Sequence, residues 1–239
     1  QGDWSSDVCS SDLVEHPLNQ ALTPGTSTIG FGTVILGQAP VNQTVTIRNP
    51  GTGPLLISGA SISGPAAGDF SVPQQPPASI AAGATAAFTV RFTPVLNGPR
   101  TASVVITSNA PNTPSFAIGL DGTGLALPDI AIEHPPGQSL FTGQSTIDCG
   151  SVVLGANPSQ RNIVMRNAGS AQLGNLSISL SGAHAADFSV LSFRDTPLSV
   201  GETSPFDIRF QPSGAGVRTA TLIISSDDPD ENPFEIALT

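Results

Sequence analysis

The sequence predicts an all-β protein made of two tandem β-sandwich domains, and three observations carry the prediction. The first is self-repetition. Val14-Glu15-His16-Pro17 returns as Ile132-Glu133-His134-Pro135, Asp69-Phe70-Ser71-Val72 as Asp187-Phe188-Ser189-Val190, and Arg100-Thr101-Ala102 as Arg218-Thr219-Ala220. The offset is 118 residues throughout, with no gap, and about two in five aligned positions are identical, far above chance for a fixed period. The second is composition: 11% charged residues with 25 Gly and 22 Pro in 239 residues, which suits many short strands joined by turns. The third is period-two alternation of apolar and polar residues in short runs, with no convincing helical stretch. The domains expected are residues 14–124 and 125–239, each long enough to bury a core alone.

Along the first copy, Thr44-Val45-Thr46-Ile47-Arg48 alternates as a half-buried strand does. Asn49-Pro50-Gly51-Thr52-Gly53 then reads as a turn, because Asn and Gly tolerate positive φ. Leu55 to Ile62 reads as the next strand, and Gly64 to Gly68 as a loop with room for one helical turn before Asp69-Phe70. Phe88, Val90 and Phe92 fall on one face of a strand, as do Phe206, Ile208 and Phe210 in the copy, so that face belongs in a core. Pro94 and Pro212 stop those strands, since Pro cannot donate to a central ladder. Thr101 to Thr107 and the alternating Phe116, Ile118 and Leu120 supply two more strands, the latter repeated as Phe234, Ile236 and Leu238. About seven strands per copy, spaced by turns, imply two sheets face to face in an immunoglobulin-like sandwich. Gly122 to Pro128 reads as a short linker that strings the domains like beads.

Residues 1–13 stand apart. Asp3 to Leu13 has no counterpart in the second copy and no apolar periodicity, and it back-translates without mismatch to a string resembling a common sequencing-library adapter. The segment is read as an assembly artefact, disordered, and set aside from the fold. Trp4 and Cys9 go with it, which leaves Cys149 alone and no disulfide framework. Thr239 aligns with Asp121, just before Gly122-Thr123-Gly124, so both ends are expected to be cut from a longer parent.

The net charge of −10, with eight Arg and no Lys, leaves no basic stripe to neutralise phosphates, so nucleic acid is not expected as a partner. No apolar run reaches the length of a membrane-spanning helix, so no membrane insertion is expected within the fragment.

Phe31-Gly32, Arg48-Asn49 followed by Gly51, Asp69-Phe70, Phe92 with Pro94, Arg100-Thr101-Ala102 and a closing Gly-x-Gly together resemble the bacterial choice-of-anchor D domain. The pattern is also similar to the broader ciliary and centrosomal immunoglobulin-like group of ASPM, SPD-2 and Hydin type. Ser226-Asp227-Asp228-Pro229 before the last strand strengthens the likeness, which covers residues 14–239. It implies a non-enzymatic module repeated in long secreted or surface-anchored bacterial proteins. Phe31, Gly32, Arg48, Asn49, Asp69, Phe70, Phe88, Phe92 and Pro94, with Asp187, Phe188, Phe206, Phe210 and Pro212 in the copy, are turn and core positions, and their expected role is structural. Cys149 departs from the pattern, standing where the first copy has Phe31.

Residues able to carry chemistry are few. His16 and His134 each sit between Glu and Pro without a visible nucleophile, so strand-end roles outweigh catalysis. His184 is read as a surface-loop residue and Cys149 as a small buried one. The acidic turn Asp227, Asp228, Asp230 and Glu231 packs oxygen ligands of the kind Ca²⁺ takes. Its spacing is not that of an EF-hand, the first copy has Asn109-Ala110-Pro111-Asn112 there, and a solvated hairpin turn is the plainer reading. Asp69 and Asp187 are expected to accept backbone hydrogen bonds in the loop before their strand. No catalytic residue, cofactor or metal is assigned.

The leading functional expectation is therefore a structural spacer or adhesion module of a larger secreted or cell-surface protein. Its partners would be a protein or cell-surface ligand and neighbouring repeats of the parent chain. One alternative is an intracellular, cytoplasmic or ciliary scaffold that binds proteins by strand addition. Another is an accessory ligand-binding domain of a larger enzyme, against which the lack of Tyr and of a genuine Trp counts.

Overall fold

The computed structural model describes residues 13–239, an all-β chain that divides into two compact units, the first ending at Leu125 and the second spanning Ala126–Thr239. The expected artefact, apart from Leu13, lies outside the described residues. Leu13 itself opens the first strand, paired with Arg48, so the leading segment gives way to the fold one residue earlier than expected.

Unit 1 runs β1 (Leu13–Glu15), β2 (Thr28–Ile35), β3 (Val41–Arg48), β4 (Leu55–Ser63), a 3-10 turn at Ala67–Asp69, β5 (Phe70–Gln74), β6 (Ser79–Ile80), β7 (Thr85–Phe92), β8 (Gly98–Ser108) and β9 (Ser115–Leu125). One sheet has the order β1-β3-β7-β5, the other β2-β9-β8-β4-β6. Unit 2 runs β10 (Ile130–Glu133), β11 (Thr146–Ile147), β12 (Ser159–Asn167), β13 (Ser177–Ser181), a 3-10 turn at Ala185–Asp187, β14 (Phe188–Leu191), β15 (Thr203–Phe210), β16 (Ala220–Ser225) and β17 (Phe234–Leu238). Its sheets are β10-β12-β15-β14 and β11-β17-β16-β13. The surplus over seven strands comes largely from short pieces such as β1, β6 and β11, which alternation over so few residues does not reveal.

Each unit encloses one core. Phe88, Val90 and Phe92 of β7 are almost wholly buried against Ile118 and Leu120 of β9 and Val104 of β8, so the inner faces of both sheets meet there. Phe206, Ile208 and Phe210 of β15 do the same with Ile236, Leu238 and Leu222. Each such Phe contributes roughly 2–3 kcal/mol of hydrophobic stabilisation. Phe31, Phe70 and Phe92 form an aromatic triad, with the Phe70 and Phe92 rings stacked at 4.7 Å. In unit 2 the stack of Phe188 on Phe210 stands at 4.8 Å, and fully buried Cys149 takes the third place.

Two details differ from expectation. The turns at Asn49 and Asn167 do not use positive φ at the Asn or at the following Gly51, Gly53 and Gly169. Each Asn is instead a buried staple. Asn49 Nδ2 donates to the carbonyls of Gly53 (2.8 Å) and Ile80 (2.9 Å) while its Oδ1 accepts from Gly51 N–H (3.0 Å). Asn167 repeats this with Ala171, Leu198 and Gly169. The second difference is the linker. Gly122 to Leu125 is not a connector but the end of β9, running parallel to β2 and antiparallel to β8. Its glycines are there for close approach. A Cβ on Gly122 would lie 2.5 Å from the Phe92 ring, and one on Gly124 2.3 Å from the Leu96 carbonyl oxygen.

Candidate functional site

The recurring charged residues are engaged within their own units. Glu15 and Glu133 end the first strand of each sandwich. Glu15 Oε1 accepts from Arg48 Nε at 3.0 Å and its Oε2 from Asn19 N–H at 2.9 Å. Glu133 contacts Arg166 at 3.0 Å and accepts from Gly137 N–H at 2.8 Å. These bonds favour the carboxylate. The Arg48 bond, then that of Asn19, lowers the Glu15 pKa, and Gly137 followed by Arg166 lowers that of Glu133. The neighbouring His16 and His134 rings place Nδ1 2.9 Å from the Thr44 carbonyl oxygen and 2.8 Å from that of Asn162. This Glu-His-Pro corner ties the first strand to the next and presents no nucleophile–base pair. Both partners of each ion pair recur in the sequence, and that shared recurrence of opposite charges is the signal from which the pairs could have been read.

Asp69 and Asp187, at the ends of the 3-10 turns, are buried. Asp69 accepts from Val95 N–H through Oδ1 at 3.3 Å and pairs through Oδ2 with Arg100. Asp187 accepts from Ser213 N–H at 3.1 Å, and Arg218 Nε lies 3.3 Å from its Oδ2 while donating to the Gly214 carbonyl at 3.0 Å. The bond with Ser213 is the largest influence lowering the Asp187 pKa, opposed by burial. His184 is half-buried at the same turn, its Nδ1 accepting from Thr219 N–H at 3.1 Å. Cys149 is free and fully buried, and burial raises its thiol pKa, which suppresses the reactive thiolate.

The acidic turn separates into different roles. Asp227 Oδ1 accepts from Gly174 N–H at 2.7 Å, the place held in unit 1 by Asn109, which accepts from Leu56 N–H at 2.8 Å. Asp228 is buried. Its Oδ2 accepts from Ile130 N–H at 2.7 Å, and its Oδ1 from the N–H groups of Asp230 (3.0 Å) and Glu231 (3.2 Å). Burial resists its ionisation, but these backbone donors prevail and lower its pKa. Asp129, Asp228 and Glu231 bring carboxylate oxygens within 4.8 Å of one another, so Asp129 joins the cluster while Asp227 and Asp230 leave it. Hydrogen bonding to Asp228, then its charge, raises the Asp230 pKa; burial, then the Asp228 charge, raises that of Glu231. The chemistry of the turn is anchorage of the first residue of β10 through Asp228.

A cleft of about 560 Å³ opens in unit 2, lined by Phe210 and Pro212, by Gly150, Ser151, Val152 and Leu154, and by residues 214–218. No helix among the described residues is long and apolar enough to cross a membrane.

Among solved structures, the chain is similar to a protein of unknown function from Porphyromonas gingivalis W83 (14% identity, 87% of this chain and 94% of that one, TM-score 0.35). It is also similar to the secreted serine protease VesC from Vibrio cholerae (14%, 83% of this chain and 49% of the protease, TM-score 0.34). A third is the ASH / PapD-like domain 7 of human CEP192 (16%, 48% of this chain and 87% of that domain, TM-score 0.33). No curated protein matches. A family model does match, that of ASH, described as "Abnormal spindle-like microcephaly-assoc'd, ASPM-SPD-2-Hydin". It is the first unit, over residues 20–116, that carries this match to the ASH family.

Proposed function

We propose that the chain is a non-enzymatic spacer or adhesion module of a larger secreted or cell-surface protein, meeting protein partners through strand edges and loops. The observation that carries the reading is the use of the recurring charges. Glu15–Arg48, Glu133–Arg166, Asp69–Arg100 and Asp187–Arg218 all pair inside a sandwich, as parts of a scaffold. The loops meanwhile present apolar side chains outward, among them Val95, Leu96, Val153 and Val217. Loops on a rigid β scaffold are where binding surfaces concentrate.

The test is labelling of cells that make the parent protein with antibodies to this chain. The reading expects labelling of intact cells and loss of the epitope on mild external proteolysis. Labelling that needs permeabilised cells would overturn it. That outcome would favour the second reading, an intracellular protein-binding scaffold, for which the ASPM-SPD-2-Hydin match over residues 20–116 speaks.

A further inference from the structure

We propose that the outer edge of β13 is a self-association site, at which a second copy of this chain adds its own β13, antiparallel, about a two-fold axis through Ser179. The proposal rests on the reading of the chain as a module that meets proteins through strand edges, and deepens it by naming the edge and the partner. The duplication supplies the comparison. In unit 1, Ala60 lies opposite Ile106 of β8, and its backbone groups face the other way, toward Gln75. Gln75 Oε1 accepts from Ala60 N–H at 2.9 Å, and its Nε2 donates to the Ala60 carbonyl at 3.0 Å. The side-chain amide thus fills the place of an incoming strand. β4 is also bulged between Ile57 and Gly59.

Unit 2 keeps the register and loses both devices. Ile178 lies opposite Ile224, the equivalent pair at the offset of 118, so its N–H and carbonyl face outward as those of Ala60 do. Those of Leu180, two residues on, face the same way. Phe193 stands at the place of Gln75 and packs its ring against Phe206, with centroids 6.3 Å apart. β13 pairs with β16 without a bulge. Among the described residues, Ile178 and Leu180 make no backbone hydrogen bond beyond the ladder of β13 with β16. Other edges are guarded. β1 and β10 are bridged by Ala21 and Ser139, β2 is bulged between Gly30 and Thr33, and β5 carries Pro73 and a break in register. A strand edge without such devices is a template for pairing.

The sequence of β13 selects the occupant. Ser177-Ile178-Ser179-Leu180-Ser181 has the same pattern from either end, serine alternating with an aliphatic residue about Ser179. An antiparallel partner related by a two-fold axis there sets Ser179 opposite its own copy and Ile178 opposite the partner's Leu180. Two such aliphatic pairs exchange four backbone hydrogen bonds. The serines stand exposed, while Ile178 and Leu180 are half-buried against the margin of the core, so the pairing covers apolar surface there. No charge lies on the strand to oppose the approach, in a chain of net charge −10. Five residues a side make a small contact, so the association is weak, with a dissociation constant on the order of 0.1–1 mM. A weak contact between identical modules suits adhesion, where many copies act at once.

The test is sedimentation of the full chain under reducing conditions, at concentrations up to about 2 mM, with amide hydrogen exchange followed over the same range. The expected result is a reversible monomer–dimer equilibrium, with slower exchange at the Ile178 and Leu180 amides as concentration rises. Ser179→Lys and Ser179→Glu, at an exposed position, should each weaken association about fivefold by setting like charges opposite each other. An equimolar mixture of the two variants should associate about tenfold more tightly than either alone. Dimerisation is read in solution and surface display on cells, so failure of this proposal is distinguishable from failure of the reading it rests on. A chain that stays monomeric at the highest concentration would overturn the proposal. So would a dimer that both Ser179 variants leave unchanged, or variants that show no recovery on mixing.

Discussion

Unit 1 closes one corner of its core with the rings of Phe31, Phe70 and Phe92, whereas unit 2 has Phe188 stacked on Phe210 and Cys149 at the position of Phe31. Features far from that difference match closely. The Glu15–Arg48 and Glu133–Arg166 contacts are both 3.0 Å, and the buried Asn staples use equivalent carbonyls. Features beside it diverge. Arg100 is directed onto Asp69, while Arg218 divides itself between Asp187 and Gly214. A changed side chain at one corner of the core thus leaves the opposite end of the sandwich as it was. Close packing confines such a change to its neighbours.

The largest expected effect breaks the comparison at the triad. Phe31→Ala removes a ring packed at 5.5 Å from Phe70 and 5.7 Å from Phe92, and should cost unit 1 about 3–5 kcal/mol. Cys149→Ala in unit 2 should cost about 1 kcal/mol, since little volume is lost. Hydrogen exchange during urea unfolding of the full chain would separate the two units. Equal losses would mean that the third core position carries the same weight in both.

Next comes the buried pair. Asp69→Ala strands Arg100, which is only 19% exposed, and frees Val95 N–H, for an expected loss of about 3 kcal/mol. Asp187→Ala should cost about half as much, because Arg218 already has the Gly214 carbonyl. A larger loss at Asp187 would contradict the looser pairing. Gly122→Ala should then cost unit 1 about 1–3 kcal/mol through collision with the Phe92 ring and leave unit 2 untouched.

How much of this was legible in the sequence depends on the range of the interaction. Strands whose apolar faces alternate over five or more residues, such as β7 and β15, could be read directly, because period two is a local property. The parallel pairing of β2 with β9 could not, since it joins residues some ninety positions apart and leaves no local pattern. Gly122 and Gly124 resemble a linker in sequence because the reason for them, an aromatic ring and a carbonyl approaching from outside β9, is tertiary. Asn49 is a turn residue, as its type suggests, but through its amide rather than its backbone angle. In the acidic turn composition groups Asp227 with Asp228, but these adjacent side chains diverge to Gly174 and Ile130, and only the fold brings in Asp129 from far upstream. Protection of an edge was also invisible: Gln75 pairs its amide with both backbone groups of Ala60, whereas Phe193, at the matching place in unit 2, packs against Phe206 instead.

The smallest expected effect sharpens the comparison in acid. Glu15 and Glu133 have pKa values below 4.5, so each contributes stability that is present above the unfolded value and lost as pH falls through the lowered one. Unit 2 carries an opposing group. Burial and the Asp228 charge raise the Glu231 pKa above 4.5, so the folded state prefers it protonated. Its penalty is present above the raised value and relieved as pH falls through it. Unit 2 should therefore gain slightly on mild acidification before it loses, while unit 1 is not expected to gain from Glu15. Glu231→Gln should raise the melting temperature of unit 2 by about 1–3 °C at pH 7, on the order of 0.5 kcal/mol, with the gain vanishing near pH 4 and unit 1 unchanged. Calorimetry of the full chain across that range, with and without millimolar Ca²⁺, checks both halves of the argument. Stabilisation by Ca²⁺ that Glu231→Gln abolishes would mean that the turn holds a cation, and that the repulsion among Asp129, Asp228 and Glu231 is the cost of a binding site rather than of an anchor for β10.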